Sequence, residues 1–253
     1  MRTETVVVTA SAGSFPGLAE ALRKLSVSVE ECPLLNFRPP PDWRPVDGAL
    51  DQLGSYDAIA VTSPRAAAAL ADRIAHRGDP PSLGGHPPSV WAAGAATASA
   101  LHGALGPVRT PPDEPTGRGA AEALALAMIE EQVTGPVLFP CGDSHREELP
   151  DRLRREGIEV EEVVCYQSLL ASEPAAYAAA ERGTVLVVAS PSVANLLIRA
   201  CPPDSRPDLI AAGPTTAASA RASGWSPAAV AIQPTVEAVT AAVRELLARR
   251  SSP

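Results

Sequence analysis

Short runs of β-branched and apolar residues alternate along the chain with alanine- and leucine-rich stretches of helical period. Thr5 to Thr9 is followed by a helical pattern from Phe15 to Leu25, and Ala58 to Thr62 by one from Pro64 to Arg77. Further strands are predicted at Val90–Ala93, Val137–Phe139, Val160–Tyr166, Val185–Ala189, Leu209–Ala212 and Ala229–Ile232, with a last helix over Val236–Arg249. Strands that are apolar throughout and separated by helices predict parallel sheets covered on both faces, an α/β fold.

The chain also matches itself. Leu18, Leu22 and Arg23 reappear as Leu149, Leu153 and Arg154 at an offset of 131, and SVSVEE at 26–31 reappears as GIEVEE at 157–162. Ser63-Pro64 returns as Ser190-Pro191 at an offset of 127. The Gly-x-x-Thr stretch from Gly94 returns at Gly213, and Pro115-Thr116 returns as Pro234-Thr235, both at an offset of 119. Offsets that shrink only in steps predict a duplication with loop deletions, hence two domains. The proline-dense segment between Leu35 and Asp51 reads as a linker or extended crossover, and Ser168 to Pro174 as a shorter break.

Composition narrows the function. At 253 residues and a net charge of -8, with one lysine and 20 arginines, the chain lacks the basic footprint of a nucleic-acid binder. Cys32, Cys141, Cys165 and Cys201 form no CxxC pair, which predicts reduced thiols in a cytoplasmic protein rather than a zinc or redox motif. His76, His86, His102 and His145 show no metal-ligand spacing, and Glu30-Glu31 and Glu161-Glu162 fall on strands where neighbours alternate faces. No apolar run is long enough to span a membrane, and no leader is recognisable. Dinucleotide, P-loop and nucleophile-elbow motifs are absent.

The candidate chemistry gathers at strand-to-helix junctions, where ligands of open parallel sheets bind. Ser63 and Ser190 stand at predicted N-caps, each with proline at the first helical position. Gly94 and Gly213 repeat the arrangement with a residue that lets a ligand approach backbone. Pro140 to Ser144 is read as opening the helix that carries Arg146, and Thr116 and Thr235 as opening two more. Several such ends converging would form an anion site of backbone amides and hydroxyls. Tyr166, closing VEEVVCY, is the notable ionisable side chain near a domain junction.

These segments, from YDAIAVTSPRAAAAL through AAGAATASAL, PVLFPCGDSHREELPDRLRREGIEVEEVVCYQ, TVLVVASPSVANLL and IAAGPTTAASARASGW to AIQPTVEAVTAAV, resemble the uroporphyrinogen-III synthase family in order and spacing. The resemblance implies two flavodoxin-like α/β domains joined by two strands, the chain crossing twice: residues 1–36 with 171–253, and 41–165, with 37–40 and 166–170 as linkers and the active-site cleft between the domains. It implies conversion of hydroxymethylbilane, a linear tetrapyrrole, to uroporphyrinogen III with no metal or other cofactor, by a cytoplasmic protein expected to be monomeric. Tyr166 matches the tyrosine that assists departure of the hydroxyl. Thr97, Ser190 and Thr216 match cleft hydroxyls, Ser63, Gly142 and Ser192 match contact positions, and Gly94 and Thr215 join them as substrate-binding residues. Two departures stand out: Ala10 follows Thr9 where an arginine is common, and Leu25-Ser26 replaces a helix-ending glycine. The alternatives are a non-catalytic protein binding a tetrapyrrole or other carboxylated ligand, and a divergent paralogue acting on another acidic substrate.

Overall fold

The computed structural model describes residues 4–78, 87–111 and 119–251. They form two compact units: one built from residues up to Phe37 and from Leu169 onward, the other from Arg38–Ser168. The chain therefore passes from one unit to the other twice.

The first unit holds a five-stranded sheet of β1 (Thr5–Val8), β2 (Ser28–Glu31), β9 (Val185–Val188), β10 (Asp208–Ala211) and β11 (Ala229–Val230). Their order is β11-β10-β9-β1-β2, and every pair is parallel. Alternate residues feed two cores, as the two-residue period of a strand requires. Val7, Leu186 and Leu209 pack under α7 (Glu173–Glu181), α8 (Pro191–Ala200) and α9 (Pro214–Ala222). Val6, Val8, Val187 and Ile210 pack under α1 (Leu18–Arg23) and α10 (Val236–Ser251).

The second unit has a six-stranded sheet in the order β3-β8-β7-β4-β5-β6. Its strands are β3 (Leu35–Arg38), β4 (Ala58–Val61), β5 (Ser89–Ala92), β6 (Val108–Arg109), β7 (Val137–Gly142) and β8 (Val160–Leu170). One core lies under α2 (Arg44–Asp51), α3 (Pro64–Arg77) and α4 (Ala95–Leu105); the other lies under α5 (Ala120–Glu130) and α6 (Glu148–Arg155). Both sheets are thus buried on both faces, and the α/β class with two parallel-sheet domains is as expected.

The duplication is visible residue by residue in the strand pairing. Val6 opposes Val29 in the first unit, and Val137 opposes Val160 in the second, both residues displaced by 131. Val6 opposes Val185, and Val137 opposes Ala58, which combines the offsets of 131 and 127. Asp208 opposes Val185, and Ser89 opposes Ala58, which combines 119 and 127. Matched in this way, β2, β1, β9, β10 and β11 become β8, β7, β4, β5 and β6, and the two sheets have one spatial order.

Four local expectations differ. The segment from Leu35 to Asp51 is not a bare linker: it holds β3 and α2, because Pro45 falls in the first turn of α2, where an amide hydrogen is not needed. The break at Ser168–Pro174 is confined to two residues, since β8 runs to Leu170 and Ser172 caps α7 by accepting from the Ala175 amide. The helix at Phe15–Leu25 starts only at Leu18, after Gly17 in a left-handed conformation. Cys141 and Gly142 do not open a helix: β7 continues through both, and Arg146 lies in the turn before α6.

Candidate functional site

In the second unit the chain steps from β4 to β5 on one side and later places β7 on the other. The carboxyl ends of β4 and β7 are therefore a topological switch point, where open α/β sheets bind ligands. A cavity of about 310 Å³ lies there, lined by Ser63 after β4, Cys141 and Gly142 at the end of β7, His145 and Arg146 in the following turn, and Tyr166 on β8.

Gly142 and Tyr166 are built as a pair. They oppose each other across β7 and β8, at an irregularity between Cys141 and Gly142 that skips one residue of β8. A side chain at 142 would place its Cβ 2.5 Å from Tyr166 Cζ and 2.7 Å from its hydroxyl oxygen, so glycine is what lets the phenol lie over this backbone. The Asp143 amide donates to the Tyr166 carbonyl at 3.1 Å, and the Ser168 amide donates to the Asp143 carboxylate at 2.9 Å. The turn after β7 is thus tied to β8 at the tyrosine and two residues beyond it.

Ser63 caps α3 as expected: its Oγ accepts from the amides of Arg65 and Ala66 at 3.2 and 3.4 Å. Gly94 starts α4 without a side-chain cap, and a Cβ there would meet nothing within 4 Å, so no crowding in the structure requires a glycine. Thr97, in the first turn of α4, is only 3% exposed.

The first unit carries the remaining candidates on the ends of its own strands. Ser190 precedes α8 but makes no capping bond; its hydroxyl pairs with that of Ser192 at 2.8 Å, which corrects the expectation of a serine cap. At α9 Thr215 is exposed and Thr216 is 4% exposed. Thr9 is buried and donates to the Val187 carbonyl at 2.9 Å, leaving Ala10 half-buried beside the core. Thr235 opens α10, accepting from the Ala238 amide at 3.2 Å. Thr116 and His86 lie outside the described residues.

One cluster in the second unit is not apparent from sequence spacing. Cys141, His145 and Glu162 bring one donor atom each to within 4.8 Å of one another. Glu161 and Glu162 do alternate faces: Glu161 accepts from the Tyr56 hydroxyl at 2.6 Å, while Glu162 meets His145 and Arg154. Burial pushes the Cys141 thiol up to about 12, with Cys165 and Glu162 adding to it, and burial does the same to Cys165. Both are neutral thiols near pH 7 and poor nucleophiles.

Comparison with known proteins decides the family. The profile of the family described as uroporphyrinogen-III synthase HemD matches residues 17–241. The chain belongs to the uroporphyrinogen-III synthase family. Among its relatives, the uroporphyrinogen-III synthase of Synechococcus elongatus is 28% identical over 171 residues, 67% of this chain and 62% of that protein. The match thus spans less than two thirds of that relative's length. A mutant uroporphyrinogen III synthase of Thermus thermophilus superposes with a TM-score of 0.69 at 16% identity, covering 98% of this chain and all of that one. The Helicobacter pylori uroporphyrinogen-III synthetase gives 0.63 at 18% identity, covering 97% of this chain and all of that one. At these identities the structural likeness establishes the fold of the synthase family for this chain. No helix among the described residues is long and apolar enough to cross a membrane.

Proposed function

We propose that the chain is a uroporphyrinogen-III synthase, a cyclising lyase of tetrapyrrole biosynthesis. It takes hydroxymethylbilane, expels the terminal hydroxyl as water, closes the ring and inverts the last pyrrole. The observation that carries this reading is the family match across residues 17–241, with Tyr166 kept over Gly142 at the strand ends.

Loss of the hydroxyl needs a proton on the departing oxygen, and Tyr166 supplies it or hydrogen-bonds to it as a general acid. The azafulvene cation left behind can close directly or through a spiro intermediate, and uncatalysed closure gives the uninverted isomer. The enzyme's task is therefore to hold a flexible substrate in one shape. The substrate's acetate and propionate arms suit helix N-termini, which present unpaired amides and partial positive charge. Ser63 with α3, and Gly94 and Thr97 with α4, fill this role in the second unit. Ser190 and Ser192 with α8, and Thr215 and Thr216 with α9, fill it in the first. Gly142 lines the cavity and lets the Tyr166 phenol lie over the end of β7, and Arg146 adds a fixed positive charge at the cavity wall.

The test is the product. The protein is supplied with freshly generated hydroxymethylbilane, the porphyrinogens are oxidised, and isomers I and III are resolved by chromatography. Isomer III in excess is expected; isomer I alone from a folded sample would move the chain to the binding-protein reading.

A further inference from the structure

His145 sits in the turn after β7 with both ring nitrogens engaged differently. Nδ1 lies 3.0 Å from the Gly142 carbonyl oxygen. A carbonyl only accepts, so the proton is on Nδ1, and in the neutral ring Nε2 presents a lone pair. That Nε2 is a buried atom 2.6 Å from Glu162 Oε2 and 3.2 Å from Glu147 Oε1, so it pairs with carboxylate when the ring is protonated and can ligate a cation beside the same carboxylate when it is neutral. Cys141 Sγ completes the group, with all three donor atoms within 4.8 Å of one another.

We propose that Cys141 Sγ, His145 Nε2 and Glu162 Oε2 form a binding site for a thiophilic divalent cation of the zinc class. One thiolate, one imidazole and one carboxylate suit that class in donor type. Bonds of about 2.0–2.3 Å around a tetrahedral ion put donors roughly 3.3–3.7 Å apart, so the 2.6 Å contact between Nε2 and Oε2 must open slightly to admit the ion, with the three donors already within 4.8 Å of one another. Glu147 or a water takes the fourth position, and the thiol proton leaves to solvent on binding.

The supporting groups match what such ligands need. Nδ1–H donating to a backbone carbonyl fixes the tautomer and aims Nε2, and Arg154 Nη2 binds Glu162 Oε1, leaving Oε2 to face the ion. The Phe139 ring meets the imidazole edge-on at 5.5 Å and holds its plane. Cys141 and His145 line the cavity, which gives an ion its way in. In the first unit the residues at an offset of 131 are Ala10, Ser14 and Glu31, so only one of the three ligands is repeated. The ion would tie the end of β7, the turn after it and β8 into one wall behind Gly142 and Tyr166. Cyclisation itself does not call on this metal, and the site stands or falls apart from the enzymatic reading.

The experiment is titration of the reduced, metal-stripped protein with cobalt(II) under anaerobic conditions, followed by zinc(II). One equivalent should bind per chain, with a near-ultraviolet thiolate-to-cobalt absorption that zinc bleaches. Cys141→Ser should abolish the absorption, Glu162→Gln should weaken cobalt binding about tenfold or more, and Cys165→Ser should leave both intact. Circular dichroism establishes that each variant is folded, and zinc should raise the thermal midpoint of the wild type but not of Cys141→Ser. No thiolate absorption in the wild type would overturn the proposal and leave His145 and Glu162 as an ordinary ion pair. So would an absorption that survives Cys141→Ser, or one lost equally in Cys165→Ser.

Discussion

The two units carry the same Ser-Pro dipeptide at the end of matched strands, yet the two serines do different things. Ser63 turns its hydroxyl onto the first amides of α3, whereas Ser190 gives its hydroxyl to Ser192 and leaves α8 without a side-chain cap. The ends of the neighbouring strands differ more. Gly142 and Tyr166 form a fitted pair in the second unit, while 131 residues earlier stand Ser11 and Leu35. One βα scaffold was duplicated with its strand registers intact, and the chemistry diverged at the loops beyond the strands. A fully buried strand tolerates little change without loss of packing, whereas a junction residue answers mainly to what it binds.

The largest contrast is expected at Gly142. Gly142→Ala puts a methyl group where the phenol lies, so Tyr166 must move, and isomer III formation should fall at least about tenfold, because loss of reacting geometry costs heavily. Ser11→Ala at the matched position should change the rate by less than about twofold, within the range of an ordinary surface substitution. Equal losses measured in steady-state kinetics would erase the distinction between the units.

Next come two stability effects of about 1 kcal/mol. Ser26 has φ 58° where its counterpart Gly157 has φ 79°, and each donates its amide to the matched arginine carbonyl, Arg23 or Arg154. Ser26→Gly should stabilise the protein by about 1 kcal/mol by relieving a left-handed non-glycine residue. Ser63→Ala should cost about 1 kcal/mol and Ser190→Ala only a few tenths, because only the first removes a cap. Denaturant unfolding checks all three, and equal costs for the two serines would show that the capping difference has no energetic weight.

The smallest effect is alkaline. Burial, and then the Glu161 carboxylate that accepts from its hydroxyl, push Tyr56 above its ordinary 10.0. A group raised in the folded state contributes fully below its unfolded value, so this stability is present below about pH 10 and lost as pH rises above it. Glu30, the counterpart of Glu161, pairs with exposed Arg182 instead, so this contact between a buried phenol and a strand carboxylate is not repeated at the matched position. Tyr56→Phe should flatten the decline of the thermal midpoint above about pH 10; an unchanged profile would remove Tyr56 as its source.

Much of this was legible in the sequence because it rests on periodicity. The β-branched and apolar runs at Val6–Val8, Ala58–Val61 and Val185–Val188, set between helical segments, read as strands buried on both faces, and the offsets of 131, 127 and 119 anticipate which residues pair. What escaped is what depends on three dimensions. Pro45 disguised α2 as a loop, and whether the Ser190 hydroxyl accepts from the first amides of α8 or pairs with the Ser192 hydroxyl is a rotamer choice. Cys141, His145 and Glu162 meet only because β8 lies beside β7, and the single signal available was the repeat itself, which keeps Glu31 and Glu162 but not the other two residues. The Gly142–Tyr166 fit likewise depends on an irregular strand pair that no local pattern announces.

The most direct test of the second unit as the reacting wall is the turnover of Tyr166→Phe with freshly generated hydroxymethylbilane, read as isomer III formed per unit time. A fall of about tenfold or more in kcat is expected, with the thermal midpoint held near the wild-type value, since only a hydroxyl is removed. An unchanged kcat in a folded Tyr166→Phe protein would contradict the second unit's role as that wall.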